Sequence, residues 1–311
     1  MKSTTARRIT LSVVAVTSLT AVAACSSSGG SSGSSGGSGK GDGAAGRGLA
    51  HVSPVAALRS ADTSTAEADS ARVSMTTSIG TLMSMKGDGT LDWADGLTGT
   101  LKLTYTGGTV AETMRRIGAT TMEARYLPDA YYAHMGDAYA RQTGGKHWIA
   151  YRYEDLGALT GGSGEYMKEQ LKNATPNQSV KLLLASGDVR KVGEATVRGE
   201  HTTHYAGTVN VADFAGKTSN LPKRQMDELK KQLSEAGVTT ESIDIWVNDR
   251  NLLVKKVEKA DMATGTMTNT AYYSDYGVKT SVQVPPAGDT MDFKDLMKSQ
   301  GATAGGTGIG S

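Results

Sequence analysis

Cysteine is almost missing from this sequence, since Cys25 is the only one in 311 residues. A disulfide needs two thiols and a cysteine-based metal site needs several, so neither can form within this chain. If Cys25 is itself consumed by covalent modification, no thiol is left to act as a nucleophile. The fold must therefore be stabilised by a packed apolar core.

Long hydrophobic runs are also missing, because none reaches the about 20 residues that a membrane-spanning helix needs. The longest candidate is the weakly apolar stretch 9–24, which follows the basic residues Lys2, Arg7 and Arg8 and ends in small side chains. That order is typical of a secretory signal peptide, so residues 1–24 are excluded from the fold. The pair Arg7-Arg8 leaves the general secretory and the twin-arginine export routes both open.

The junction at the end of this leader resembles a bacterial lipobox. In Val22-Ala23-Ala24-Cys25 an aliphatic residue and two small residues precede the cysteine. The resemblance implies that Cys25 carries a covalent diacylglycerol anchor, which would hold the protein at the extracytoplasmic face of the cell membrane. The alternative is an ordinary signal peptidase site, which the same three residues fit less well.

Neither sign of charge is in large excess. The whole chain carries +2 at pH 7, and the leader contributes three positive and no negative charges, which leaves −1 for the remainder. Proteins that bind nucleic acid or anionic surfaces through charge usually carry a marked positive excess. Nucleic acid is therefore not an expected partner, and the cytoplasmic membrane is expected as a partner through the anchor alone.

Glycine and serine are concentrated towards the two ends of the chain. Residues 25–49 are nearly all Gly and Ser after Cys25, a composition that predicts a disordered tether with an r.m.s. reach of about 25 Å. A second Gly-rich segment, 299–311, is predicted to be a flexible tail. Residues 50–298 have no comparable break and no detectable repeat, so they are predicted to form one domain near the upper size limit of a single core.

Most of this domain alternates between apolar and polar residues, the pattern of strands with one buried face. The sequence therefore predicts an antiparallel sheet of about 10–11 strands, which ends at Pro285-Pro286. The predicted strand segments are 71–79, 97–105, 122–126, 131–135, 149–151, 189–197, 201–211, 243–247 and 252–257, followed by a last pair of strands around 265–276.

Helical patterns interrupt the strands, so the predicted fold class is α+β. Ser53-Pro54 is typical of a helix start, and Gly187 and Gly237 are typical of helix ends. The predicted helices are 53–68, 164–174, 176–186 and 220–237. The faces expected to be buried are Val55, Leu58 and Ala61 in the first helix and Met226, Leu229, Leu233 and Ala236 in the last.

The order of elements has a known counterpart. The best local matches are 191–205, which ends in His201-Thr202-Thr203-His204-Tyr205, then Ile245-Trp246-Val247-Asn248 and Tyr273-Ser274-Asp275-Tyr276-Gly277. On these segments, residues 50–298 resemble the LolA-like and LppX/LprG-like lipoproteins. The resemblance implies a strongly curved, unclosed half-barrel sheet with helices covering its concave face. It also implies a lipid carrier, with a lipid or glycolipid as ligand and partner.

The residues predicted to line an apolar cavity alternate with polar neighbours on their own strands. Such a face is large for a few helices to cover, and the excess volume would be a pocket. The predicted lining residues are Val73, Met75, Leu101, Leu103, Met122, Tyr126, Val209, Ile243 and Ile245. The 13 methionines favour an adaptable apolar surface, although methionine at alternating strand positions is also ordinary core filling.

No motif in the sequence indicates catalysis, so the protein is not expected to be an enzyme and no metal or other cofactor is expected. His201 and His204 are three apart on a predicted strand, where side chains point to opposite faces and cannot share a metal. Two other functions stay open: that of an envelope interaction or sensor protein with a packed core, and that of a wall-associated hydrolase. Trp148 is expected to pack at a strand start or to stand at a pocket mouth, and Trp246 to lie on the convex face or under a helix.

We predict that Cys25→Ser releases the protein from membrane fractions and leaves its fold unchanged, because the tether contributes no core residue. Fractionation of cells that express each form, with circular dichroism of the released variant, measures both effects. Continued sedimentation of the variant with membranes would contradict the lipid anchor.

Overall fold

The computed structural model describes residues 53–155, 175–211, 223–235 and 237–298. The leader, Cys25, the tether, the tail and the helix predicted over 164–174 lie outside these ranges. In the described part of the chain no helix is both long enough and apolar enough to cross a membrane.

One twelve-stranded sheet organises the described residues. Its strands are β1 Ser70–Ile79, β2 Met83–Asp92, β3 Thr98–Gly107, β4 Thr121–Tyr126, β5 Ala130–His134, β6 Trp148–Arg152, β7 Arg190–Val197, β8 Glu200–Asn210, β9 Thr240–Asn248, β10 Leu253–Ala260, β11 Met267–Ser274 and β12 Thr290–Asp292. The helices include α1 Pro54–Glu67, α2 Gly108–Arg116, α3 Asp137–Ala140, α4 Gln178–Ser186 and α5 Lys223–Glu235, with a 3₁₀ turn at Ala287–Asp289. Residues 293–298 are also helical.

Two antiparallel meanders meet in the middle of the sheet. The spatial order is β12-β6-β5-β4-β3-β2-β1-β11-β10-β9-β8-β7, so β1 and β11 join the meander β1 to β6 to the meander β7 to β11. Ten of the eleven strand pairs are antiparallel, and only β6 with β12 is parallel. The sheet does not close, and the result is the α+β half-barrel that the sequence predicts, with twelve strands instead of about 10–11.

Two strands were absent from the sequence prediction. In β2 the run Gly87-Asp88-Gly89 interrupts the apolar alternation, although the strand pairs fully with β1 and β3. The expectation that Pro285-Pro286 ends the sheet is wrong, because β12 follows the prolines and pairs with β6 over three residues. Neither strand has enough alternating apolar residues to be recognised without its partner.

The helix predictions agree with the structure where it describes them. The Ser53 side chain accepts a hydrogen bond from the Ala56 amide at the start of α1. Leu58 and Ala61 are buried, but Val55 is 39% exposed because the first turn of α1 extends past the core. In α5 the described members of the predicted stripe, Met226, Leu229 and Leu233, are buried.

One face of the sheet is apolar and carries the helices, and we call it the concave face. Leu101, Leu103, Ile243 and Ile245 point to it, and α1 and α4 pack on it through side chains such as Leu58, Leu182 and Leu183. A second apolar cluster on this face combines the ends of β1, β10 and β11 with α5. Burial at about 25 cal/mol per Å² makes these contacts the main source of stability.

The opposite face is crossed by the segment 275–289, which we call the strap. It runs from β11 to β12 and is held by hydrogen bonds from Ser70 Oγ to the Val278 carbonyl, 2.7 Å, and from Arg125 Nη1 to the Gln283 carbonyl, 2.9 Å. Trp148 is buried under it with Val282 beside its cluster. Trp148 is therefore a packing residue rather than part of a pocket mouth.

Helix α4 lies so close to the sheet that a side chain does not fit beneath it. A Cβ atom on Gly207 would lie 1.7 Å from the Asp188 carbonyl oxygen and 2.5 Å from Leu183 Cδ1. Gly187 ends α4 in a left-handed conformation, φ 76°, and the turn places Asp188 next to Gly207. The position of α4 over β8 therefore depends on the absence of a side chain at Gly207.

We predict that Gly207→Ala lowers the free energy of unfolding by about 1–3 kcal/mol or more, because the added methyl overpacks the contact with α4. Gly193→Ala is the matched control, since a Cβ there meets no atom within 4 Å. Denaturant unfolding of both variants measures the difference, and an equal effect in the two would contradict this contact.

Candidate functional site

The structure brings the nine predicted lining residues together on the concave face. Seven are buried members of its main apolar cluster: Val73, Leu101, Leu103, Met122, Val209, Ile243 and Ile245. Met75 and Tyr126 are half-buried and pack against the same cluster. The alternation in the sequence therefore identified one continuous surface, and its role in ligand binding stays a prediction.

Aromatic side chains extend this surface across β4, β5 and β6. The ring centroids of Tyr126 and Tyr131 are 5.4 Å apart, those of Tyr131 and Tyr151 5.1 Å, and those of Tyr151 and Phe293 4.7 Å. Burial, with a smaller contribution from Tyr105, raises the pKa of Tyr126 to about 12, so its hydroxyl stays neutral. Phe293 follows β12 and could not be placed here without that strand.

Three polar side chains form a row across the middle of the concave face, and we call them the polar row. Thr77 on β1, Asn269 on β11 and Glu258 on β10 are partners in register. Thr77 Oγ1 donates to Asn269 Oδ1, 3.0 Å, and Asn269 Nδ2 donates to Glu258 Oε2, 2.8 Å. All three are at most 4% exposed. The row lies between the two apolar clusters.

A buried ion pair is attached to the polar row. Lys256 Nζ lies 2.9 Å from Glu258 Oε1, with side chains 6% and 1% exposed. Ser179 in α4 accepts a hydrogen bond from Lys256, 2.9 Å, and donates one to Glu258, 2.5 Å. Burial opposes the charge on Lys256, but the charge and hydrogen bond of Glu258 outweigh it and raise the pKa of Lys256. The Lys256 ammonium therefore stays charged beside Glu258.

A second carboxyl lies beside this pair. Glu241 on β9 pairs with Ala260 on β10, so it is diagonal to Glu258 on the same face. Glu241 is 3% exposed, and its Oε1 has no hydrogen-bond partner among the described residues. Burial raises the pKa of Glu241 well above its usual range, Glu258 raises it further, and Lys256 opposes both. The structure therefore favours the protonated, uncharged carboxyl.

The polar residues of this face were not predicted from the sequence. The sequence predicts a strand over 252–257 whose apolar residues are Leu252, Leu253, Val254 and Val257. A β-bulge between Leu253 and Lys255 shifts the register, which turns Lys256 and Glu258 inward and Val257 outward. Regular alternation from Leu253 would place Lys256 and Glu258 outward, so the strand pattern alone does not indicate that they are buried.

The histidines have separate partners. His201 contacts Asp249. His204 Nε2 donates to Asp244 Oδ1, 2.7 Å, and the His204 ring stacks on Trp246 with 4.1 Å between centroids. Trp246 alternates with the buried Ile245 and so lies on the convex face, one of its two expected positions. Among the described residues no group of three or more His, Asp or Glu side chains is arranged to hold a metal ion.

Two streptomycete proteins are close in sequence. An uncharacterized 31.2 kDa protein from the rplA–rplJ intergenic region of Streptomyces griseus is 52% identical over 260 residues, 83% of this chain and 85% of that protein. A protein of Streptomyces coelicolor, named provisionally as a lipoprotein, is 54% identical over 246 residues, 79% of this chain and 77% of that protein. This chain belongs to the same family. No protein-family model matches it.

The solved structures that match most of this chain have much lower sequence identity. LprF from Mycobacterium bovis is 13% identical, with a TM-score of 0.45 over 75% of this chain and 97% of that one. LppX from Mycobacterium tuberculosis is 14% identical, with a TM-score of 0.44 over 74% of this chain and 98% of that one. LppX is a lipoprotein of the group that the sequence resembles.

We predict that Glu241 makes folding stability fall as pH rises. The unfolded chain loses this proton near the ordinary glutamate pKa, about 4.3, and the folded protein only at a higher pH, so the stability that the carboxyl contributes at low pH is lost across that interval. Glu241→Gln cannot lose a proton, so its free energy of unfolding should increase relative to that of the parent as pH rises.

Denaturant unfolding between about pH 5 and about pH 8 tests this difference. Glu112→Gln is the control, since Glu112 is exposed on α2. Parallel stability curves for Glu241→Gln and the parent would show that Glu241 has an ordinary pKa.

Proposed function

We propose that this protein is a membrane-anchored extracytoplasmic lipoprotein that binds lipid acyl chains on its concave face and carries or presents them in the cell envelope. The observation that supports this most is the convergence of the nine predicted lining residues on one apolar face of an open sheet. A lipid leaves a bilayer only if a carrier offers equivalent burial, at about 0.8 kcal/mol per methylene.

The side chains on this face suit a ligand of variable shape. The main apolar cluster contains Met85, Met114, Met122 and Met135, with Met75 packed against it. Methionine is unbranched and polarizable, so it adapts to irregular apolar partners. The aromatic rings of β4 to β6 add large contact area at one end of the same face.

The anchor is the second part of the proposal. The lipobox-like sequence before Cys25 and the name of the Streptomyces coelicolor relative both support a lipoprotein. A tether with a reach of about 25 Å would let the domain meet the membrane surface while it remains attached. The arrangement suits a protein that takes lipid from the same membrane that holds it.

One observation favours a different function. Ile243 and Ile245 are 0% exposed, as expected if the concave face is a filled core. In that case the protein would be an envelope interaction or sensor lipoprotein. Native mass spectrometry of the protein purified from its own host separates the two functions, because a carrier is expected to copurify with lipid.

We predict that Leu103→Trp and Ile245→Trp reduce lipid uptake with little change in melting temperature, because the indole fills space that the ligand would occupy. If the face is close-packed core, the same substitutions overpack it and lower stability by about 1–3 kcal/mol. Lys102→Trp is the control, since Lys102 is exposed on the same strand as Leu103. Strong destabilisation of both variants, with no lipid bound by the parent, would overturn the carrier function.

A further inference from the structure

Five tyrosines lie at one end of the sheet, and we call them the phenol cluster. They are Tyr105 on β3, Tyr126 on β4, Tyr131 on β5, Tyr151 on β6 and Tyr153 directly after β6. None of their hydroxyls has a hydrogen-bond partner among the described residues. The chain has 12 tyrosines and only two phenylalanines, although phenylalanine supplies the same ring without a polar atom. Because an unpaired buried hydroxyl costs free energy, packing alone does not explain five of them.

Three of these rings stand side by side. Tyr131 is the direct cross-strand partner of both Tyr126 and Tyr151. Its ring is inclined by 33° to that of Tyr126 and by 28° to that of Tyr151, at centroid distances of 5.4 and 5.1 Å. Rings that leave neighbouring strands from one face and stack at such angles point in the same direction. Hydroxyls roughly 5 Å apart can share one acceptor oxygen, since each O–H···O bond spans about 2.7 Å.

The Tyr105 side chain reaches the same place from the far end of its strand. Gly99 is the partner of Tyr126, so Tyr105 stands six residues further along β3. A regular strand makes that separation roughly 20 Å between backbones, at about 3.3 Å per residue. Even so, the Tyr105 phenol raises the pKa of Tyr126, Tyr131 and Tyr151. The curved sheet therefore directs these side chains towards a common interior.

The side chains of Tyr126 and Tyr131 lie deep in the protein and still keep accessible surface. Burial is the main cause that raises the pKa of Tyr126 to about 12 and the pKa of Tyr131 well above its usual range. Both side chains are nevertheless only half-buried. A group that has lost most of its hydration but keeps accessible surface lies in a recess. Tyr153, which also raises the pKa of Tyr131, is 2% exposed, and its hydroxyl is buried without a partner.

This recess offers hydrogen-bond donors and no positive charge. A neutral phenol donates one hydrogen bond, and the raised pKa values keep these hydroxyls protonated. Among the described residues, no lysine or arginine contributes to the pKa shift of Tyr126, Tyr131 or Tyr151. An anionic group would therefore find no counter-charge, and a hydrocarbon would leave every hydroxyl unpaired.

An ester carbonyl matches both conditions. It is uncharged, and its oxygen has two lone pairs, so it can accept from two adjacent hydroxyls. In an acyl lipid it is also the polar group that is attached directly to the hydrocarbon chain. Such a group suits hydroxyls that adjoin apolar side chains, here those of Leu101 and Met122 in the same cluster.

We propose that the hydroxyls of Tyr126, Tyr131 and Tyr151 form a subsite for the ester carbonyls of a bound acyl lipid, whose chains lie on the apolar part of the concave face. The inference rests on the proposed carrier function and adds a selectivity to it, for ester-linked over ether-linked chains. Neutral acylglycerols and phospholipids both carry this group, so the subsite recognises the ester and not the headgroup.

The test compares lipids that differ only in their carbonyl oxygens. Dioleoylglycerol is a diester, and dioleylglycerol is the matching diether. The same pair with a phosphoglycerol headgroup shows whether a neutral lipid or a phospholipid supplies the ester. Binding to the full chain with Cys25→Ser, which has no acyl anchor of its own, is measured by displacement of a pyrene-labelled alkane. In at least one pair the diester should bind about tenfold more tightly than the diether, which corresponds to about 1.4 kcal/mol.

Tyrosine-to-phenylalanine variants locate the preference. The triple variant Tyr126→Phe, Tyr131→Phe, Tyr151→Phe removes three oxygen atoms that have no partner among the described residues, so its melting temperature should not fall below that of the parent. Its ester preference should disappear, and each single variant should lose part of it. Tyr276→Phe is the matched control. The Tyr276 hydroxyl donates to the Leu253 carbonyl, 2.5 Å, so the same substitution should lower the melting temperature and leave the preference intact.

The outcomes separate this inference from the function on which it rests. If the parent binds neither the probe nor any of the four lipids, the carrier function fails and the subsite with it. If esters and ethers bind equally, or if the triple variant keeps the preference, the carrier function stands and the ester subsite is wrong. Loss of the preference in Tyr276→Phe would also overturn the subsite, because the effect would then follow from stability rather than from the three hydroxyls.

Discussion

The pairing of β1 with β11 is the interaction on which the rest of the structure depends. It joins residues nearly 200 positions apart, for example Met75 with Ala271, and makes one sheet of two meanders. Without it neither meander has a concave face wide enough to carry α1, α4 and α5. It also places Thr77 beside Asn269, so the polar row exists only in the assembled sheet. Because loop closure over such a distance is slow, the pairing is also expected to limit the folding rate.

The electrostatics of the concave face follow from this assembly. Once the helices exclude water, Lys256 and Glu258 can remain charged only as a pair, and Ser179 and Asn269 fix their geometry. Glu241 has no such partner and avoids the cost of a buried charge by keeping its proton. The concave face thus avoids an uncompensated buried charge in two ways, by the pairing of Lys256 with Glu258 and by the protonation of Glu241. Both leave the region without net charge.

The sequence predicts those parts of the fold that depend on local pattern. The alternation in β1 and β3 placed Val73, Leu101 and Leu103 on the buried face, and the start of α1 was predicted from Ser53-Pro54. These features are visible because burial imposes a period of two on a strand and capping imposes polar residues at a helix start.

What could not be predicted depends on contacts between distant segments. The bulge after Leu253 reverses the orientation of the following residues, so the inward position of Lys256 and Glu258 does not follow from the alternation of their own strand. The short strand β12 exists only because β6 offers it an edge. Gln178 could be assigned to a helix, but its burial is set by the sheet beneath that helix rather than by its own sequence.

The strap and β12 complete surfaces that are formed by earlier segments of the chain. β6 is completed by β12, and the cluster around Trp148 by Val282, so one edge and one outer surface await residues close to the end of the chain. During synthesis or export from the amino terminus, these residues become available only after the other eleven strands. Until β12 and Val282 are in place, the first meander exposes the backbone of β6 and the Trp148 indole to other chains. A segment that emerges after β11 therefore protects strands that emerged long before it.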